Sequence, residues 1–153
     1  NQNSTEIWSS FRVARRPKVV HKKVIYKDIS DTLSINATHD GYSHLKGRPM
    51  HTREWFLQKN KLKVTDQILG EGFHNIKIIF PLYPKVRVGL VTSKTIECSH
   101  KNKKIFFIFS GDGNIELCDS VFNYSFGLSE ENKKVIFNSN QRLPFKVTTE
   151  VIW

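Results

Sequence analysis

The stretch His74-Asn75-Ile76-Lys77-Ile78-Ile79-Phe80 decides the fold class, because Ile76, Ile78 and Phe80 recur at every second position. A period of two sends alternate side chains to opposite faces of a pleated strand, whereas a helix would need apolar residues three and four apart. The same alternation appears on either side of it. Lys61-Leu62-Lys63-Val64 alternates charge and aliphatic. Near the C-terminus, Val147, Thr149, Val151 and Trp153 share one face. Ile105-Phe106-Phe107-Ile108-Phe109 is apolar at every position, which predicts a central strand covered on both sides. Val, Ile, Thr and Phe are dense and Ala nearly absent, the composition of pleated, half-buried surface.

Between these runs lie turn signals: Gly41, Lys46-Gly47-Arg48-Pro49, Gly70-Glu71-Gly72, Pro81 to Pro84, Ser110-Gly111-Asp112-Gly113-Asn114 and Glu130-Glu131-Asn132. The Ser110–Asn114 segment has the glycines and Asp of a tight hairpin. Many short strands at such intervals predict an all-β antiparallel sandwich with no long helix, and residues 1–153 read as one domain without repeat or linker. No apolar run approaches the ~18 residues that cross a bilayer as a helix. Neither a secretory leader nor an initiating Met is present, the only Met being Met50, so the chain reads as a piece of something longer.

The charge is +10, from 24 Lys+Arg against 14 Asp+Glu, which favours polyanionic partners without choosing among them. Seven of the basic residues fall between Arg12 and Lys27 with no acid among them, and Lys101, Lys103 and Lys104 form a second cluster. Lysines on strands also serve as solvated faces and edge protection. Arginines hold carboxylate or sulfate groups bidentately, so Arg12, Arg15 and Arg16, with Trp8 four residues before Arg12 as a stacking surface, are the candidate substrate-binding residues. Phe11, Trp55 and Phe56 read as core. An aromatic and basic surface also suits single-stranded nucleic acid, the weaker reading.

Catalytic motifs are scarce. There is no Gly-x-Ser-x-Gly elbow, and Gly70-Glu71-Gly72 lacks the strand-then-helix setting of a phosphate loop. Of the six histidines, His39 and Asp40 with His44 and His51 are the tightest group, but they fall in a turn and two strands with no metal-ligand spacing. They read as hydrogen-bonding residues. Cys98 and Cys118 read either as a pair, in an oxidising compartment, or as two buried thiols.

Several segments occur in a telling order. They are Asn1-Gln2-Asn3-Ser4-Thr5-Glu6-Ile7-Trp8-Ser9-Ser10-Phe11-Arg12-Val13-Ala14-Arg15-Arg16, then Thr38-His39-Asp40-Gly41-Tyr42, then His51-Thr52-Arg53-Glu54-Trp55. After these come Val64-Thr65-Asp66-Gln67-Ile68-Leu69-Gly70-Glu71-Gly72-Phe73-His74 and Phe80-Pro81-Leu82-Tyr83-Pro84. Together, over roughly residues 1 to 92, they resemble the C-terminal β-sandwich region of the heparinase II/III-like polysaccharide lyases. The resemblance implies a bacterial parent protein, periplasmic or secreted, with an α/α toroid and the first sandwich strands upstream. Such a parent cleaves uronic-acid polysaccharides by β-elimination with Tyr, His and Asn groups, and a divalent metal is possible there. The family's His-x-His-x-Asp, Asp-Pro-Gly and His-Asn-Thr segments have no counterpart in this sequence, so no catalytic or metal residue carries over and no cofactor is expected here. The expected partners are an acidic polysaccharide and the upstream toroid. A homodimer through an unpaired edge or sheet face is a further expectation. The alternative is a non-catalytic carbohydrate-binding or scaffold β-domain.

Overall fold

Alternating side chains can be satisfied only if one face of each strand finds a second layer, and the chain supplies that layer by crossing repeatedly between two sheets. The computed structural model describes residues 3–9 and 12–153. Its strands are β1 (Glu6–Ser9), β2 (Arg12–Arg15), β3 (Val19–Lys27), β4 (Thr32–His39), β5 (Met50–Gln58), β6 (Lys61–Leu69) and β7 (Phe73–Pro81). They continue with β8 (Arg87–Thr92), β9 (Thr95–His100), β10 (Lys103–Ser110), β11 (Asn114–Ser125), β12 (Leu128–Arg142) and β13 (Phe145–Ile152). A single 3₁₀ turn at Asp28–Ser30 is the one helical element among the described residues.

Eight strands form one antiparallel sheet in the order β3-β4-β5-β6-β13-β10-β9-β8, and β11-β12-β7 form a second sheet. A separate hairpin joins β1 and β2. The chain passes between the sheets at 70–72, 82–86, 111–113 and 143–144. These short links lay the smaller sheet over the middle and far strands of the larger one. The core lies between them: Ile76, Ile78, Val135 and Phe137 from the small sheet, Ile96, Cys98, Phe109, Phe145 and Val147 from the large one. Phe109 stacks on Phe137 with centroids 5.6 Å apart, and Phe80 meets Phe107 and Phe109 edge-on.

The all-β antiparallel sandwich is as the alternation predicts, including the buried positions Ile76, Ile78, Val147 and Thr149. Three local expectations are corrected. The Ser110–Asn114 segment is a link between sheets rather than a hairpin, since β10 pairs with β9 and β13 while β11 pairs with β12. Its glycines serve close passage: a Cβ on Gly113 would stand 2.5 Å from the Phe137 ring. Glu130-Glu131-Asn132 is not a turn but lies inside the 15-residue β12, opposite Phe122, Val121 and Ser120, and the reversal falls at Phe126-Gly127. Finally, β10 is central in hydrogen bonding but not fully covered on either side, since Ile105 and Phe107 on the core face are half-buried beside Phe109. Phe109 is buried, whereas Phe106 and Ile108 on the opposite face are half-buried.

Candidate functional site

The four residues singled out for polyanion binding lie on or beside the β1–β2 hairpin, with different fates. Trp8 is exposed, and its Nε1–H donates to Glu6 Oε1 at 2.9 Å. Arg12 and Arg16 are exposed and carry no ion pair among the described residues. Arg15 is half-buried and turned inward. Its Nη1 donates to Gly41 O at 2.6 Å and to Ser4 O at 3.3 Å, and its Nε lies 3.7 Å from Glu6 Oε2. Arg15 therefore holds the hairpin to the body, while Trp8, Arg12 and Arg16 face outward. Of the aromatics read as core, Trp55 and Phe56 are half-buried, and Phe11 lies outside the described residues. The second basic cluster, Lys101, Lys103 and Lys104, is exposed at the β9–β10 turn, with Lys104 paired to Glu97 at 2.9 Å.

A second constellation joins His39 and His51, two of the histidines read as hydrogen-bonding residues, to Asp66 and Arg53, which the sequence reading did not single out. Strand register puts His39 of β4 opposite His51 of β5, and Arg53 of β5 opposite Asp66 of β6. His39 Nε2 and His51 Nδ1 are 3.0 Å apart, and His51 Nε2 lies 2.6 Å from Asp66 Oδ1. Arg53 donates from Nε to Asp66 Oδ1 at 2.6 Å and from Nη2 to Oδ2 at 3.1 Å. At the other end, Gly41 N–H donates to His39 Nδ1 at 3.1 Å. Asp66 is 1% exposed. Burial by itself would raise its carboxyl, but the bonds and charges of His51 and Arg53 outweigh that and hold it below the ordinary carboxylate value. His39 is held below its ordinary value, chiefly by burial and then by the neighbouring His51 and Arg53, with Asp40 acting in the opposite sense.

One sequence signal pointed to this site. Leu62, Val64, Asp66 and Ile68 occupy the inward-facing register of β6, so an acid stands where a core residue belongs, and such an acid needs a partner. The partners came from a neighbouring strand whose register was not legible. The arrangement does not suit a metal. Every ring nitrogen of the two histidines already faces a protein group, both Asp66 oxygens are bonded, and no metal-holding group of His, Cys, Asp or Glu forms among the described residues.

Beside this line the same sheet face is apolar and open. Leu33, Ile35, Trp55, Leu57 and Leu62 line a shallow cleft of about 280 Å³ beyond the reach of the small sheet. The two cysteines are both free. Cys98 is buried in β9, its thiol pushed up to about 11 by burial and then by Glu97, and Cys118 lies on β11 of the other sheet. No helix among the described residues is long and apolar enough to cross a membrane.

With this geometry in hand, comparison with known proteins gives a consistent answer. The family described as heparinase II/III-like, C-terminal matches residues 1–152, a wider span than the five sequence segments cover. Among solved structures, the chain is similar to heparan sulfate lyase HepC from Pedobacter heparinus, at 12% identity and a TM-score of 0.69, over 90% of this chain and 22% of that one. It is also similar to a structure of heparinase III, at 15% identity and a TM-score of 0.72, over 98% of this chain and 23% of that one. A heparinase III gene product superposes over 90% of this chain and 21% of its own, at 10% identity and a TM-score of 0.72. The chain thus spans about a fifth of the length of these structures, and identities this low speak for the fold alone. Comparison with curated proteins gives no match.

Proposed function

Because the chain belongs to the heparinase II/III-like C-terminal family, we propose that it is the C-terminal β-sandwich region of a polysaccharide lyase, and that the catalytic groups reside elsewhere in that longer protein. The observation that carries the reading is the family match across residues 1–152. The substrate class is an acidic, uronate-containing polysaccharide, and the location periplasmic or secreted, where such polymers are met. A toroid upstream in the same polypeptide is the partner that would complete a cleft.

β-Elimination from a uronate needs a base for the proton α to the carboxylate and a group that neutralises the carboxylate as charge develops. The buried histidine line offers no base to a substrate, since its nitrogens are engaged within the protein. The β1–β2 hairpin offers cations instead. Trp8 presents a flat ring to a sugar face, and Arg12 and Arg16 present forks to carboxylate or sulfate groups.

The chain alone is therefore expected to give no unsaturated uronate product, measured by absorbance, on heparan sulfate, hyaluronan or alginate. Robust turnover would overturn the reading. On a heparin column, replacing Arg12 and Arg16 with Gln is expected to shorten retention more than replacing Lys101 and Lys103 with Gln. The lysines act as screened point charges, whereas each Arg can bind an acidic group bidentately. Equal losses would mean that only net charge matters.

A further inference from the structure

Hydrogen-bond bookkeeping along the His39–His51–Asp66 line leaves a single proton arrangement. Asp66 is ionised and bonded twice by Arg53, so His51 Nε2 carries a proton and donates to it. Gly41 N–H points at His39 Nδ1, so that nitrogen is bare and accepts. The proton of His39 therefore sits on Nε2 and is donated to a bare His51 Nδ1. Both rings are neutral, and each N–H has one acceptor.

We propose that this line is a proton-operated latch: uptake of one proton by the histidine pair takes away the acceptor of the Gly41 N–H and frees the N-terminal hairpin from the sandwich. A solvent proton can enter in two ways. Added to His39 Nδ1, it sets an N–H directly against the N–H of Gly41. Added to His51 Nδ1, it faces the Nε2–H of His39, and the conflict is relieved only if His39 shifts its own proton to Nδ1. Both routes end with two donors facing each other at Gly41. The bond to Asp66 survives either way, so the disturbance travels outward.

Gly41 is the point where that disturbance reaches the hairpin. Its carbonyl accepts from Arg15, which also bonds Ser4 O. A Cβ on Gly41 would stand 2.7 Å from Ser4 Cβ and 3.0 Å from Pro17 Cβ, so Ser4 and Pro17, on either side of the hairpin, pack directly on this backbone. The adjoining Asp40 accepts from Lys18 N–H on Oδ1 at 2.6 Å and donates its own N–H to Lys18 O. Displacing Gly41 therefore loosens the anchorage of Arg15 and with it the strands that carry Trp8 and Arg12.

The titratable and charged groups around His39 come from every element packed there. They are Lys18 and His21 on the β3 side, Asp40, Tyr42 and His44 in the following loop, and His51 and Arg53 on β5. Asp66 on β6 and Arg15 and Glu6 from the hairpin are the others among the described residues. Asp40 favours a charged His39, while His51, Arg53 and burial disfavour it. The latch is thus closed near neutrality and opens on acidification.

The test is amide exchange at Gly41 by NMR, expressed as protection relative to the intrinsic rate so that the pH dependence of exchange chemistry cancels. Between about pH 7.5 and about pH 5.5, protection of Gly41 is expected to fall severalfold, up to about tenfold, with the Trp8 indole signal sharpening in step. His39→Asn supplies a non-titrating acceptor near the position of Nδ1. It should keep Gly41 protected and make the protection independent of pH. His39→Gln serves if the Asn variant does not fold. Protection in the wild-type protein that stays flat across this range would overturn the latch, as would a fall that persists undiminished in either variant. Neither readout depends on lyase activity, so the latch and the proposed function stand or fall separately.

Discussion

The large sheet has two halves built from the same alternating pattern, and they end in different states. Under the small sheet, Ile96, Phe109, Val147 and Thr149 lie at 2% exposure or less. Across β4, β5 and β6, the equivalent inward-facing positions Leu33, Ile35, Trp55 and Leu57 line an open cleft, and Leu57 is 38% exposed. Among the described residues of these three strands, Val64, next to the covered half, is the one apolar side chain that is buried, and Asp66 beside it is the one buried polar group. Alternation therefore encodes which face of a strand is apolar, and says nothing about whether a second layer reaches it. Where none does, the apolar strip stays wet and a polar line, His39–His51–Asp66–Arg53, ties the strands together instead.

The largest effect that would sharpen this contrast comes from truncating one aromatic in each half. Phe137 is fully buried, stacked on Phe109, touched by the backbone at Gly113 and capped by Lys94 at 5.2 Å. Phe137→Ala is expected to destabilise by about 4 kcal/mol in denaturant unfolding, the usual cost of a cavity in a close-packed core. Trp55 is larger but open to solvent on the cleft side, so Trp55→Ala should cost about 1–2 kcal/mol, because water can enter the space it leaves. Equal losses would break the comparison by showing that the open half is as well packed as the covered one.

Next in size is the polar line. Asp66→Asn removes the charge that Arg53 and His51 share and leaves Arg53 without its counter-ion. The expected loss at neutral pH is about 2–3 kcal/mol, at or just under the low end of the ~3–5 kcal/mol for breaking a buried pair, since Arg53 and His51 are partly exposed. The pH profile separates the two titrating groups. His39 binds its proton less readily folded than unfolded, so stability is full above the ordinary histidine value of 6.5 and falls as pH drops from there towards the lower folded value. Asp66 holds its charge more firmly when folded, so its contribution is present above the ordinary value of 3.8 and is lost below it. His39→Asn should abolish the upper decline and leave the lower one. A wild-type midpoint unchanged between about pH 7.5 and 5.5 would contradict the assignment for His39.

Much of this was legible in the residues. The period of two at Ile76, Ile78 and Phe80, and at Val147 and Thr149, fixed both strand identity and the inward face, because burial on a pleated strand has no other periodicity. What was not legible is pairing between strands distant in sequence. Ser110–Asn114 has the local chemistry of a hairpin, yet β10 chose β9 and β13, and turn residues cannot report which sheet the next strand joins. Glu130-Glu131-Asn132 is polar enough for a turn, but within β12 Glu131 faces solvent while the buried Asn132 donates to Leu82 O, so polarity there marks solvent and an internal bond and not reversal. The same limit hid the candidate site. The acid at Asp66 breaks the apolar alternation of β6, a signal the sequence reading did not use, and only the register of β4 with β5 and of β5 with β6 brings His39, His51 and Arg53 to it. Arg15 likewise reads as one of three equivalent arginines until the fold turns it inward to Gly41.

The smallest expected effect probes the covered half from within. Thr149 is fully buried on the inward face of β13, opposite Val64 of β6 and Phe109 of β10, and its hydroxyl has no hydrogen-bond partner among the described residues. A buried hydroxyl without a partner gives up its bond to water and gains nothing in return. Thr149→Val replaces that hydroxyl with a methyl of similar size, keeps the β-branched shape and suits a strand equally well. It is expected to raise stability by about 1 kcal/mol, read as a higher denaturant midpoint with an unchanged slope. Its neighbour Thr148 points to the opposite face, where its Oγ1 lies 3.2 Å from Thr65 Oγ1. Thr148→Val loses that bond and should be neutral or slightly destabilising. Opposite signs for two adjacent threonines would show that the two faces of β13 are chemically distinct environments. If Thr149→Val destabilises instead, the hydroxyl has a partner within the covered half, and that half is less purely apolar than its packing indicates.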